Sequence, residues 1–409
     1  MMDAMKNFNM PIIVVAAFRR DKSLKRLLRS ISNAYYPCDN IEVVISLDGG
    51  YSNEVYLAAR DFEKKFTSGF VRVITRDENL GLRKHILECG DLSLDNGSCI
   101  ILEDDLVVSR NFYLFACEAM KKFYSDENIA GISLYSQRYN EYANLPFEPN
   151  VDRSSDVYFM QMASSWGQLW TRNQWISFKK WYKLNAELDF SSLVCVPKAV
   201  SDWPGSSWKK YYSAYLILQN KFFVYPYQSF TSNCSDAGGT HNYEIISPVQ
   251  VPINYTEKQY TDFKFINLSD AQVKYDGFME AIIDDKVDIC GIKASEISLD
   301  LYGTKPLMLL RERAFSISSK RTKENILSFP LRFKPNEANL FYPLPADEVG
   351  FFHLGKSNKF LSDNAHTKRE NNFLMVKNAV YFNIENKSFL YGFVFSWLKK
   401  ICLTLWGRK

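Results

Sequence analysis

Apolar and polar positions along the first third of the chain alternate between two periods. Pro11 to Phe18 (PIIVVAAF) is a continuous apolar run, as expected of a strand buried on both faces. Leu24, Leu27, Leu28 and Ile31 then recur at helical spacing, and Asp21 is placed to cap a helix reaching about Ala34. Ile41 to Leu47 predicts a second strand, stopped by Asp48-Gly49-Gly50, and residues 53–66 a second helix. Phe70 to Thr75 reads as a strand, Leu80 to Asp91 as a helix and Ser98 to Leu102 as a strand ended by Glu103-Asp104-Asp105. Ser109 is a candidate cap for an amphipathic helix to Tyr124, and Ile129 to Leu134 predicts a further strand.

This alternation predicts an α/β fold with a mostly parallel central sheet covered by helices on both faces. Such sheets bind ligands beyond the carboxyl ends of their strands. The residues just after each strand are therefore the ones that bear on function.

Residues 150–245 are aromatic-rich and less regular, with helical patterns over Trp166–Leu184 and Ser206–Asn220. From about 246 onward the periodicity weakens, and residues 308–375 mix charges with turn signals that specify no fold. The expected organisation is a first domain over 1–245, an extension of unassigned fold over 246–387, and a terminal helix over 388–409. In that tail Leu390, Val394, Trp397, Ile401 and Leu405 share one helical face, with Lys399 opposite and Lys400 at its flank. The stripe suits a helix lying in a membrane surface, and equally one docked on the protein's own core.

Composition narrows the classes. The chain has 409 residues, with 46% hydrophobic and 23% charged, which is a soluble globular balance. Fifty basic and 46 acidic residues leave a formal charge of +4, too even to predict a nucleic-acid partner. Cys38, Cys89, Cys99, Cys117, Cys195, Cys234, Cys290 and Cys402 are scattered without a CxxC pair. That argues against a disulfide framework or thiolate metal site, and for buried small hydrophobes in a reducing cytoplasm. The N-terminus shows no secretory h-region, and no stretch approaches the roughly 20 apolar residues of a membrane span.

Glu103-Asp104-Asp105 is the sharpest chemical feature. Three adjacent carboxylates repel one another, and a bound cation relieves that repulsion. Hard oxygen ligands suit Mg2+ or Mn2+, which in turn bind nucleotide phosphates. The plainer reading is a solvated acidic turn. Asp284, Asp285 and Asp288 are also clustered, and there a solvated helix end or face is the expectation.

Four ordered blocks, PIIVVAAFRR, VVISLDGG, RDENLGLRKHI and CIILEDDLVVSRNF, resemble those of GT-A glycosyltransferases of the family-2 type. The likeness is nearest to the N-acetylglucosaminyltransferase I group and to bacterial enzymes of surface-polysaccharide assembly. It continues less tightly to about residue 245. Ser165-Trp166-Gly167 with Trp170 is similar to an aromatic segment near the family's acceptor site. Trp203-Pro204-Gly205-Ser206-Ser207-Trp208 resembles a W-P-x-x-x-W stretch, and Gly239-Thr240-His241 a T-H or S-H pair.

The resemblance implies a GT-A fold and the following roles. Ala17, Phe18 and Arg19 contact the base and ribose of a nucleotide-sugar donor, UDP-linked by first expectation. Asp48 accepts a hydrogen bond from the base. Arg83 and Lys84 face the diphosphate, Asp104 the ribose or a metal-bound water. Asp105 ligates Mn2+ or Mg2+, with His241 as a second ligand or a diphosphate contact. Trp166, Gly167 and Trp208 line a sugar pocket. The implied acceptor is a glycan or lipid-linked saccharide, worked on at the inner face of the cell membrane with inversion.

One departure stands out. The related N-acetylglucosaminyltransferases follow W-P-x-x-x with W-D-D-W, and one of those acids is the base. This chain reads Trp208-Lys209-Lys210-Tyr211. A lysine with its usual pKa of ~10.4 is protonated near neutrality. Asp202 and Asp236 are then the candidate bases, Asp202 favoured. A degenerate, non-catalytic nucleotide-sugar-binding protein is the alternative that the lysines prompt. A sugar-nucleotide nucleotidyltransferase is the other, and the absence of glycine in Phe18-Arg19-Arg20-Asp21 argues against it.

Overall fold

The computed structural model of the chain describes residues 9–236 and 247–380. β1 (Ile12–Ala17), α1 (Asp21–Ser32), β2 (Ile41–Leu47), α2 (Asn53–Lys65), β3 (Gly69–Thr75), α3 (Gly81–Asn96) and β4 (Ser98–Glu103) follow the predicted alternation. β5 (Leu106–Val108), α4 (Phe112–Phe123) and β6 (Ile129–Ser133) come next. The short pair β7 (Tyr139–Asn140) and β8 (Leu145–Pro146) precedes β9 (Val157–Met160), β10 (Gln168–Thr171) and α5 (Arg172–Asn185). α6 (Lys198–Asp202), α7 (Trp208–Leu218), β11 (Phe222–Pro226), β12 (Thr231–Asn233) and β13 (Lys274–Tyr275) complete the larger part.

Nine strands form one sheet, ordered β13-β9-β11-β6-β10-β4-β1-β2-β3. β3, β2, β1 and β4 are mutually parallel, and β10 runs antiparallel between β4 and β6. Every residue of β1 is buried. Its odd positions, Ile13, Val15 and Ala17, join the α1, α2 and α4 side of the core. Its even positions, Ile12, Val14 and Ala16, join the α3, α5 and α7 side. A strand sandwiched in this way must be apolar at both parities, which is why its sequence shows no alternation.

Several predicted element ends move. Asp21 is the first residue of α1 and makes no cap; it pairs with Lys25, with Nζ 2.8 Å from Oδ2. Ser109 precedes a helix that starts at Phe112, which donates its N–H to the Ser109 carbonyl. The pattern over 166–184 is not one helix. Gly167 has φ +96°, β10 follows, and α5 starts only after Thr171. Thr171 and Gln174 form a reciprocal capping box there, a T-x-x-Q signal legible in the sequence. α3 and α5 approach closely because Gly90 has no Cβ to strike the Trp175 ring.

The expected division at 245/246 is not where packing separates. Tyr260, Phe263 and Phe265 lie against the main core, and β13 adds an edge strand to the main sheet. Beyond it, β14 (Asp288–Ile289), β15 (Ile292–Lys293), β16 (Ile297–Asp300), α8 (Leu307–Leu310), β17 (Phe315–Ser318), β18 (Leu327–Phe329), β19 (Phe352–Lys356) and α9 (Ala365–Val380) follow. β16, β17, β19 and β18 make a small separate sheet around Ile317, Phe329, Phe352 and Leu354. Asp284, Asp285 and Asp288 are exposed; the first and last cap turns through Lys286 N–H and Gly291 N–H. Of the cysteines, Cys89, Cys99 and Cys117 are buried as expected, whereas Cys38 and Cys290 are exposed. Among the described residues no helix is long and apolar enough to cross a membrane. The tail helix expected over 388–409 lies outside the described residues.

Candidate active site

Parallel pairing lines up the ends of β1, β2 and β4. Ala17 pairs with Leu47, and Ala16 with Glu103. Asp48 then donates its N–H to Ala17 O, and Asp104 to Ala16 O. The sheet therefore brings Phe18, Arg19, Asp48 and the 103–105 triplet to one mouth, at its carboxyl edge.

Within that mouth Asp48 is buried and its carboxylate is already occupied. Oδ1 accepts the N–H of Gly49 and of Leu80, at 2.9 and 2.8 Å, and Oδ2 accepts that of Gly81 at 3.1 Å. It fixes the turn that begins α3, so the role it has here is to shape the pocket wall, not to present a free carboxylate to a base. Ala17 is buried, Phe18 half-buried and Arg19 exposed. Arg19 lies over the Phe18 ring at 4.5 Å and donates Nε–H to Gly50 O.

Asp104 and Asp105 both face Arg20. Its Nη2 pairs with Asp104, and its Nη1 lies 3.0 Å from Asp105 Oδ2. Burial works against the guanidinium, but the two acids hold its pKa above the usual arginine value. Burial lifts Asp104 to about 6 against the opposing pull of Arg20. Glu103 is raised well above the carboxylate range by burial and by the Asp105 and Asp104 charges. Asp105 Oδ1 is buried and has no hydrogen-bond partner among the described residues. Leaving such an oxygen unpaired is costly, and an oxygen-seeking cation satisfies it. Among the described residues no three acidic, histidine or cysteine side chains converge as a ready-made metal cage. Arg20 instead holds the two aspartates, and Asp105 Oδ1 is left as the open ligand atom.

The far side of the mouth is aromatic. Trp166 is half-buried, its ring 4.7 Å from that of Tyr135. A Cβ on Gly167 would stand 2.8 Å from Thr231 Cγ2 and 3.4 Å from Leu102, so glycine lets this turn sit against the end of β4. The Lys209 ammonium lies 5.1 Å from the Trp166 ring and 5.2 Å from the Trp203 ring, and binds both carboxylate oxygens of Glu141 at 2.7 and 2.9 Å.

Other expected residues are placed differently. Trp208 is only 2% exposed and packs edge-on to Trp170, itself fully buried; both are core and neither lines a pocket. The cause is the inward face of α7, where Trp208, Tyr212 and Tyr215 recur at helical spacing. Lys210 bonds the carbonyls of Ser201 and Trp203 and closes the α6–α7 turn. Arg83 donates to Tyr211 Oη at 2.9 Å, and Lys84 is exposed. Asp202 is exposed and paired with Lys198. Asp236 is gripped by Arg26 and accepts from Ser23 Oγ at 2.7 Å. Burial opposes its ionisation, yet Arg26 and Ser23 hold it below the usual range. Gly239, Thr240 and His241 lie outside the described residues. Sequence reasoning missed Arg20 and Glu141; Arg20 stood inside a quoted block, and nothing local marks Glu141.

Residues 12–172 match the model of the family described as glycosyl transferase family 2. No curated protein matches the chain. Among solved structures, the mannosyltransferase PcManGT from Pyrobaculum calidifontis, in complex with GDP-Man and Mn2+, aligns at 13% identity and a TM-score of 0.36, covering 56% of this chain and 59% of its own. The 1–349 portion of TarS from S. aureus aligns at 12% identity and a TM-score of 0.35, over 55% of this chain and 61% of its own. GalNAc-T7 with UDP, GalNAc and Mn2+ aligns at 13% and 0.37, over 54% of this chain and 43% of its own. The match thus spans about three fifths or less of each of those chains.

Proposed function

We propose that this chain, whose residues 12–172 match the glycosyl transferase family 2 model, moves a sugar from a nucleoside-diphosphate donor to a saccharide hydroxyl, with inversion and with the help of a divalent ion. The observation that carries the reading is the buried, unpartnered Asp105 Oδ1 beside Asp104 and Glu103 at the shared end of β1, β2 and β4. Asp105 and its acidic neighbours would hold Mn2+ or Mg2+, which would supply positive charge against the departing diphosphate.

The chain's own groups do the rest. Phe18 and Arg19 form the edge against which a base and ribose rest, UDP being the first candidate. Asp48 keeps the Gly49 and Leu80-Gly81 backbone in place as the wall of that pocket. Trp166 offers a flat apolar face to a sugar ring. Arg20 holds Asp104 and Asp105 in place, and Asp105 would be the residue to meet a divalent ion. The acceptor is a glycan or lipid-linked saccharide of surface-polysaccharide assembly. A peripheral contact with the cytoplasmic face of the membrane, through the apolar stripe of residues 388–409, belongs to the same reading.

The test is donor turnover. The purified chain is incubated with Mn2+ and, in turn, UDP-GlcNAc, UDP-glucose, UDP-galactose and GDP-mannose, and free nucleoside diphosphate is measured. Enzyme-dependent release from one donor, abolished by chelation, is expected. Nucleotide binding without release from any donor would leave a non-catalytic binding protein as the better reading.

A further inference from the structure

A displacement at a sugar carbon needs a group that takes the acceptor's proton, and the chain has lysines where the related enzymes' acid stands. Each sequence candidate for that group is committed elsewhere. Asp236 is locked to Arg26 and Ser23. Asp202 is exposed on α6 and tied to Lys198. Asp48 accepts three backbone N–H groups. The triplet itself faces Arg20 and is the donor set for a cation.

Glu141 is also paired, to Lys209, but that pair lies against Trp166 at the mouth. Glu141 comes from the turn between β7 and β8, and that turn is rigid: buried Asn140 Oδ1 accepts the N–H groups of Tyr142 and Ala143. Its side chain is 18% exposed, whereas that of its partner Lys209 is 9% exposed, so the glutamate is the more open of the two. Lys209 in turn is bracketed by Trp166 and Trp203. Trp166 precedes Gly167, whose turn sits against Leu102 near the end of β4, and this contact ties the pair to the mouth of the sheet. The lysine thus stands where an acid is expected, and it brings in a carboxylate from a segment 68 residues away.

We infer that Glu141 is the catalytic base of the transfer and that Lys209 is its positioning residue. The inference rests on the sugar transfer proposed above. In the step, Glu141 Oε takes the proton of the acceptor hydroxyl as that oxygen's lone pair forms the bond to the sugar C1. The C1–O bond to the diphosphate breaks, its electron pair leaving with the nucleoside diphosphate, and the proton passes from Glu141 to solvent. Lys209 fixes the carboxylate's orientation through bonds to both of its oxygens.

The experiment uses the full chain and the donor that it turns over, with water as acceptor. The rate of nucleoside diphosphate release is measured from pH 5 to 9 for the wild type, Glu141→Gln and Lys209→Met. Affinity for UDP and for GDP with Mn2+ is measured alongside. Gln keeps an acceptor for Lys209, so Glu141→Gln is expected to fold and to bind nucleotide within about twofold of the wild type. Its release rate is expected to fall by about 100-fold or more, the usual range for loss of a proton-transfer group. The acid limb of the pH profile is expected to vanish with it, and Lys209→Met to shift that limb. A Glu141→Gln variant that releases nucleotide at the wild-type rate with the same pH profile overturns the assignment alone. A wild type that turns over no donor overturns the proposed transfer, and this assignment with it.

Discussion

His85 Nε2 lies 2.8 Å from Ser46 Oγ, just beneath the carboxyl end of β2. Burial, helped by the Arg76 charge, pushes its imidazole down to about 4. A histidine held neutral in this way stabilises the fold fully above the unfolded value of about 6.5, and that contribution is lost as the pH falls towards 4. At pH 5 the loss is on the order of 2 kcal/mol. Thermal melts of wild type and His85→Gln, which keeps a partner for Ser46, are expected to diverge. The wild type's melting temperature should fall more steeply between pH 7 and pH 5. Parallel slopes would show that His85 does not set the acid limit. The same scale explains the triplet, where Arg20 stands as the cation between Asp104 and Asp105. A buried charge needs a partner, and the chain supplies one in Arg20.

At the scale of elements, the continuous apolar run of β1 and the mostly apolar β2 and β4 were legible because strands buried on both faces leave few polar positions. The acids ending β2 and β4 were legible as residues of the sheet's mouth for the same reason: polar groups following such strands sit there. Contacts made across the chain left no local mark. Arg20 meets Asp104 at a separation of 84 residues, and Lys209 meets Glu141 at 68. Aromatic richness also misled, because Trp170 and Trp208 fill the core, while Trp166 alone of the expected pocket tryptophans reaches the mouth. β13 was invisible, being two residues long in a weakly patterned stretch. It makes the 245/246 boundary testable. Phe263 packs on Phe115 at 5.3 Å and on Phe230 at 5.9 Å. Burying such a ring contributes roughly 1.5–3 kcal/mol. A chain ending at residue 245 is expected to be less soluble and more rapidly digested by protease than the full chain. Equal protease resistance would mean that residues 246–282 are not part of the main core.

The whole molecule joins a large α/β body to a small four-stranded sheet, and buried charges mark the junction. Lys305 Nζ lies 2.6 Å from Asp276 Oδ2, and Glu280 accepts the N–H of Tyr302 at 2.8 Å. The small sheet was not legible because its strands are three to five residues long, too short for a two-residue period to declare itself. Across the large body, the account depends on one geometric fact: carboxylates of β4 share a mouth with the ends of β1 and β2. The direct measurement is calorimetric titration of UDP and of GDP into the wild type and Asp105→Ala, each with Mn2+ and with chelator. One nucleotide is expected to bind the wild type at least about tenfold more tightly with Mn2+, a difference of about 1.4 kcal/mol. That gain should vanish in Asp105→Ala. Binding that is the same with and without the ion, and the same in both proteins, would contradict the account.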